Sequence, residues 1–319
     1  MVKLNPGFFV AHPGDARDLF RSSVETVEIE ISSYCNRRCG FCPNSFLDRL
    51  GPQRFMDDAL FTSIVSQLGT LDWSGFLSFH RYNEPLADRD YFLARLNEAH
   101  IRAPSARMRL FTNGDYLTRD YLDAIYDGGC RMINGSVYLQ EGKPYADEEM
   151  TAAVLRRIGL LGLRYRWHTT QPGYHVAEVE YRDMIFFVTG QNYHRPLGNW
   201  QAMSNRAGSL GFDPGFQRVD PCLKPITEMQ IELDGTLFPC CEFRSDYPAH
   251  QAYALGRLRP EDDLVAVWAS AIYTKWRRDL FSFEVKRGAC GNCRAPGVGD
   301  SAENRRIVAE VRRHWIDTT

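Results

Sequence analysis

Several things are scarce in this 319-residue chain. There is no surplus of basic charge: 38 Lys and Arg face 40 Asp and Glu, for a formal net charge of -2. A broad nucleic-acid binder shows a basic excess, so no nucleic-acid partner is expected. No apolar run approaches the ~20 residues that a membrane span needs, so no membrane partner is expected either. The opening residues Met1 to Gly7 hold no apolar signal-like stretch, and a cytoplasmic location is the expectation. Low complexity is absent too. With 44% hydrophobic and 24% charged residues, the composition is that of a folded globular protein and excludes a disordered scaffold. No repeat of solenoid period is visible.

Cysteine is in excess, with nine residues. An odd number without an export signal argues against a disulfide framework and toward metal binding.

The remaining pattern predicts an α/β fold. Val27-Glu28-Ile29-Glu30-Ile31 alternates apolar and polar residues and reads as a strand running into Cys35. Asp57 caps a helix with Leu60, Phe61, Ile64 and Leu68 on one face. Strands are predicted near 76–79, 108–111 and 132–138, with helices near 91–99, 121–126 and 148–161. Such alternation implies βα units and a parallel sheet. Residues 1–23 read as irregular, with turns at Asn5-Pro6-Gly7 and His12-Pro13-Gly14. Residues 165–201 read as long loops around one last strand near 183–189. Composition shifts at Gly211-Phe212-Asp213-Pro214-Gly215. Beyond it, Asp234-Gly235 predicts a β-hairpin, followed by helices near 263–276 and 302–315. The expected division is an N-terminal extension (1–24), a main α/β domain (25–210) and a small C-terminal domain (211–319).

Two cysteine clusters carry the chemistry. Cys35, Cys39 and Cys42 follow the first strand in a C-x3-C-x2-C loop. Three thiolates on one short loop can ligate three irons of a [4Fe-4S] cube and leave the fourth open, whereas structural zinc wants four ligands. Cys222, Cys240, Cys290 and Cys293 lie in two distant segments around the hairpin. Four thiolates suit a second cube or a zinc ion.

The first loop resembles that of the radical SAM superfamily. The resemblance implies a partial (β/α)6 barrel whose open iron chelates S-adenosylmethionine (SAM). One electron would then cleave SAM to methionine and a 5′-deoxyadenosyl radical. Tyr82-Asn83-Glu84-Pro85 resembles the motif that holds the methionine amino group, with Asn83 in place of the usual Gly. Phe41, Tyr82, Glu84 and Asn113 are the implied SAM contacts, although Asn113 also reads as a strand-end turn residue. The second cluster, with Gly235, Gly256 and Trp268, resembles the twitch domain, a shortened SPASM domain, and implies an auxiliary [4Fe-4S] cluster.

Further motifs are similar to the butirosin-type dehydrogenases of 2-deoxy-scyllo-inosamine. These are Ser78-Phe79-His80, Thr112-Asn113-Gly114-Asp115, Ser204-Asn205-Arg206 and Pro239-Cys240-x-Glu242. The resemblance implies that Arg206 contacts the substrate hydroxyl and assists its deprotonation, and that Glu242 hydrogen-bonds the substrate. The alternative for Arg206 is a surface loop arginine.

Two thiols remain. Cys130 reads as a core residue. Cys241, between Cys240 and Glu242, resembles the free cysteine of the radical SAM aminoglycoside epimerases of the neomycin C and hygromycin kind, which implies a hydrogen-atom donor to a substrate carbon radical, with a buried thiol or spare ligand as the alternatives. The expected function is thus a radical SAM epimerase inverting a carbinol carbon of an aminoglycoside or aminocyclitol in antibiotic biosynthesis. The alternative is a dehydrogenase that passes an electron to the auxiliary cluster and forms a ketone. A peptide-modifying enzyme is a third reading, but no added peptide-binding segment is visible. The resemblance implies a flavodoxin-type electron donor. Glu242, Asp115, Asp183 and Glu141 are candidate partners for a cationic amino sugar, and Tyr82 and Trp200 are candidate stacking surfaces.

Overall fold

The computed structural model describes residues 16–140, 144–193, 204–211, 215–295 and 297–313. Its strands form one ten-stranded mixed sheet with a parallel core. In chain order they are β1 (Thr26–Ile29), β2 (Phe76–Ser78), β3 (Arg107–Thr112), β4 (Met132–Val137), β5 (Arg164–Gln171), β6 (Tyr174–Glu180), β7 (Ile185–Gln191), β8 (Glu228–Ile231), β9 (Thr236–Phe238) and β10 (Gly256–Arg257). The order across the sheet is β10-β9-β8-β1-β2-β3-β4-β7-β6-β5. Every pair from β8 to β7 is parallel.

Helices fill the connections between the parallel strands, and one more precedes β1. They are α1 (Ala16–Ser23), α2 (Asp58–Thr70), α3 (Arg89–Arg102), α4 (Arg119–Asp127) and α5 (Asp147–Leu161). Asp57, Asp88 and Thr118 cap α2, α3 and α4 by accepting from backbone N–H groups of the first turn. The apolar faces of these helices cover the sheet, with Phe61, Ile64, Leu68, Phe92, Leu96 and Val154 almost fully buried. Cys130 belongs to this core at 1% exposure, as expected.

The structure corrects three sequence expectations. Residues 16–23 are helical, and Phe20 packs edge-on against Trp268 at 5.5 Å. Residues 164–180 are not a loop but an antiparallel hairpin turning at Pro172-Gly173 and continued by β7. After the short helix α6 (Lys224–Thr227), the helix expected over 263–276 is split in two, α7 (Leu264–Trp268) and α8 (Ala271–Leu280). The last helix, α9, covers Ala302–Val311.

The hairpin expected at Asp234-Gly235 is present as β8 and β9. Gly235 has φ +86, and a Cβ there would stand 2.3 Å from the Leu258 carbonyl oxygen, so the turn requires glycine. Strand β8 pairs with β1, which joins the C-terminal segment to the barrel sheet directly. Among the described residues, no helix is long and apolar enough to cross a membrane.

Candidate active site

The first cysteine loop leaves the sheet at the end of β1 and is braced by hydrogen bonds. Cys35 N donates to the Arg49 carbonyl at 3.0 Å, and Cys42 N to the Cys39 carbonyl at 2.8 Å. Asn44 Nδ2 donates to the Tyr82 carbonyl at 2.8 Å. A second brace reaches β3. Arg37 Nε donates to Asp115 Oδ2 at 2.6 Å, and Arg157 Nη2 to Asp115 Oδ1 at 2.7 Å. Asn113 Nδ2 donates to Asn36 Oδ1 at 2.7 Å. Burial opposes ionisation of Asp115, but Arg37, Asn36 and Arg157 hold its carboxyl below the usual range.

Cys35, Cys39 and Cys42 open onto one cavity of about 350 Å³ at the ends of the parallel strands. Phe41, Tyr82, Glu84, Asn113, Arg206 and Cys241 line the same cavity. The structure thus brings the implied SAM contacts, Arg206 and the leftover thiol into one space. Their side chains are differently committed. Glu84 Oε2 accepts from Asn113 N at 2.7 Å and Oε1 from Thr112 Oγ1 at 2.5 Å. Burial pushes the Glu84 carboxyl up to about 7 despite these bonds. Asn113 Oδ1 accepts from Asp115 N at 2.9 Å, the turn role weighed for it above. The Phe41 ring stacks on Tyr193 at 3.8 Å between centroids.

The wall opposite is built by the C-terminal segment. Tyr82 Oη donates to the Cys241 carbonyl at 2.9 Å and lies 3.3 Å from the Glu242 carbonyl. The Arg244 guanidinium sits 4.1 Å over the Tyr82 ring. Ser204 Oγ donates to Glu242 Oε2 at 2.6 Å, and Arg206 Nη1 pairs with Glu242 Oε1 at 3.6 Å. Arg206 has φ +52, a conformation uncommon for a side-chain-bearing residue. Glu242, followed by Tyr82 and Cys241, raises the Arg206 pKa against burial. Burial raises the Cys241 pKa far above the ordinary thiol range, with Lys224 lowering it and Glu228, Glu242 and Glu28 raising it further.

Of the acidic candidates, only Glu242 is part of this arrangement. Asp115 is spent on the loop brace. Asp183 accepts from the Tyr126 hydroxyl at 2.5 Å on an exposed surface. Glu141 and Trp200 lie outside the described residues.

The second cysteine set also converges. Cys222, Cys240, Cys290 and Cys293 line a separate space with Arg218 and Lys224. Burial, then neighbours Cys222 and Cys293, pushes the Cys290 thiol up to about 12. Cys240 is raised still further. Four thiols, Cys222 buried and the other three half-buried, acting on one another beside two cations, suit an anionic iron–sulfur cluster. Sequence reasoning missed Arg218. Its side chain is 2% exposed and donates to the carbonyls of Asp220, Pro221, Cys293 and Ala295, which gathers the ligand loops. Nothing in an isolated arginine signals that role.

These features define a SAM-cleaving iron–sulfur enzyme with an auxiliary cluster. The radical SAM superfamily model matches residues 29–159, and the SPASM iron–sulfur cluster-binding domain model matches residues 222–294. The chain thus carries a radical SAM domain and a SPASM/twitch domain, which imply SAM with a [4Fe-4S] cluster and an auxiliary iron–sulfur cluster as cofactors. Among particular proteins, it is similar to the S-adenosyl-L-methionine-dependent 2-deoxy-scyllo-inosamine dehydrogenase of Niallia circulans. Identity is 27% over 271 residues, 84% of this chain and 91% of the relative. The crystal structure of BtrN in complex with AdoMet and 2-DOIA superposes with a TM-score of 0.56 at 22% identity, covering 81% of this chain and 87% of that one. Selenomethionine BtrN in an open conformation gives 0.52, also at 22% identity, covering 89% and 97%. These two structures share the fold.

Proposed function

We propose that this radical SAM enzyme inverts a carbinol carbon of an aminocyclitol or aminoglycoside. The observation that carries the reading is Cys241, which lines the same cavity as the first cysteine loop, Glu84 and Arg206. When bound, SAM and the first cluster supply a 5′-deoxyadenosyl radical, the hydrogen-abstracting agent. The chain's own residues do the rest. Arg206 and Glu242 hold the substrate, and the Cys241 thiol returns a hydrogen atom to the opposite face of the carbon; the thiyl radical left on Cys241 then takes one electron from an external reductant and one proton from solvent before the next turnover. A thiol S–H bond is weaker than a carbinol C–H bond, so that transfer runs downhill. The aminocyclitol named for the Niallia circulans relative supports the substrate class.

The second reading is oxidation, favoured by that relative's dehydrogenase activity. In it the carbon radical loses a proton, with Arg206 assisting, and one electron, which the auxiliary cluster held by Cys222, Cys240, Cys290 and Cys293 would accept, and a ketone forms. Cys241 is then incidental.

The deciding experiment uses anaerobically reconstituted protein, SAM and a panel of aminocyclitols and aminoglycosides in deuterated water. A product with one non-exchangeable deuterium supports epimerisation. Its loss in Cys241→Ala, with deoxyadenosine still formed, assigns the donor. A product lighter by two hydrogens supports oxidation. Unchanged epimer yield from Cys241→Ala removes the donor assignment.

A further inference from the structure

The cavity holds a carboxylate with no part in the reaction just described. Glu28 lies in β1, and its register partners are Ser78 on β2 and Gln230 on β8. Neighbours in register on parallel strands leave the sheet on the same face. Glu28 lines the cavity and its side chain is 14% exposed. No described residue hydrogen-bonds its carboxylate. Its ion-pair partner, Arg109 Nη2, stands 3.9 Å away, beyond hydrogen-bond reach. Arg109 is engaged elsewhere: Nε donates to Ser78 Oγ at 3.2 Å, and the guanidinium lies over Phe76 and Phe111.

Two further groups are unmet. Gln230 has no exposed surface, lies beside Glu28 in register, and its Oε1 has no partner. His80, on the same cavity, has a buried Nδ1 with no partner. Burial, then Arg109 and Arg81, pushes the His80 pKa down to about 3, so the ring is neutral and keeps an acceptor nitrogen. Buried polar atoms are ordinarily paired, and a cluster left open at a cavity points to a ligand that completes it. Carboxylate, amide oxygen and neutral imidazole are all acceptors. A protonated primary amine offers three donors and a positive charge, whereas a hydroxyl offers one donor and no charge.

We propose that Glu28, with His80 beside it on the cavity wall and Gln230 buried behind, forms a subsite for a protonated primary amine of the substrate that Glu28 and His80 contact, and that this contact fixes which carbinol carbon faces Cys241. The proposal rests on the reading of this cavity as the substrate site.

The test measures binding to the SAM-loaded holoenzyme by calorimetry, using 2-deoxy-scyllo-inosamine, its N-acetyl derivative and amine-free scyllo-inositol. Wild type should prefer the free amine to both. Glu28→Gln should weaken amine binding by about 10–100-fold, the range of one charge-assisted hydrogen bond, and leave the N-acetyl compound unaffected. Glu28→Asp keeps the charge and should keep the preference. Normal iron content and SAM binding in both variants show that the fold is intact. The proposal is overturned by a Glu28→Gln enzyme with the wild-type preference, by a wild type that binds the N-acetyl compound equally well, or by a wild type that binds none of the three. Turnover is read separately. Glu28-dependent amine binding without deuterium return would sink the proposed reaction and leave the subsite standing.

Discussion

Tyr82→Phe tests how the cavity wall is held. The substitution removes one oxygen and keeps the ring under Arg244. Tyr82 is 7% exposed, and its hydroxyl meets the carbonyls of Cys241 and Glu242 across the cavity. One net hydrogen bond contributes about 1 kcal/mol, and an unmet buried carbonyl adds a further penalty of ~1 kcal/mol. A carbonyl has a second lone pair and tolerates under-satisfaction, so the total should be about 1–2 kcal/mol. At roughly 2–4 °C per kcal/mol for a chain region of ~150–250 residues, the melting temperature should fall by about 2–8 °C. The loosened loop carries Cys241, so more deoxyadenosine should form per product molecule. Calorimetry and a deoxyadenosine-to-product ratio on anaerobic protein read the two effects. A variant that melts within about 1 °C of wild type and keeps its ratio would refute the tether.

Gly235→Ala puts a Cβ 2.3 Å from the Leu258 carbonyl at φ +86. The hairpin should open and Cys240 should be displaced, with iron content per chain falling toward half by colorimetric assay. Arg49 pairs with Glu30 and Asp246, each at 2.8 Å, with Arg49 7% and Glu30 3% exposed. Arg49→Met should destabilise by about 3 kcal/mol or more through the unpaired Glu30, and adding Glu30→Gln should recover part of the loss, read by denaturant unfolding. Burial opposes ionisation of Asp246, but Arg244 and Arg49 bring its pKa down to about 2. Its contribution is present above the unfolded value near ~3.9 and is lost as pH falls toward about 2, so acid unfolding of Asp246→Asn should show a shallower dependence there.

Local signals carried most of what the sequence revealed. The cysteine loops, the Asp-Gly hairpin and the helix caps each depend on residues close in the chain. The hairpin at 164–180 was missed although Pro172-Gly173 flanked by Tyr, Trp, Thr and Val residues is a turn between strands. The arginines at 164 and 166 pair with Glu180 and Glu178 across the strands, and that compensation shows only once the strands are adjacent. Glu28 was hidden differently. In Val27-Glu28-Ile29 the alternation reads as apolar inside and polar outside, the rule for a sheet with one wet face. In a barrel wall covered outside by helices, the polar positions face the enclosed cavity. Arg218 and Tyr82 act through carbonyl groups of distant segments, and no residue pattern announces a partner that is a backbone atom.

The pairing of β8 with β1 also orders how the molecule is assembled. Strand β1 lacks one of its two neighbours until residues 228–231 have been synthesised, some two hundred positions after it. Until then one edge of β1 presents unpaired backbone groups, the kind of edge that recruits other chains. Contacts so distant in sequence form late and slowly. The first cysteine loop hangs from that same strand, and Arg49 and Asn44, which brace it, await Asp246 and Arg244. Both cysteine sites therefore mature together near the end of folding, and a chain cut short before residue 228 should aggregate rather than yield a separable half-enzyme.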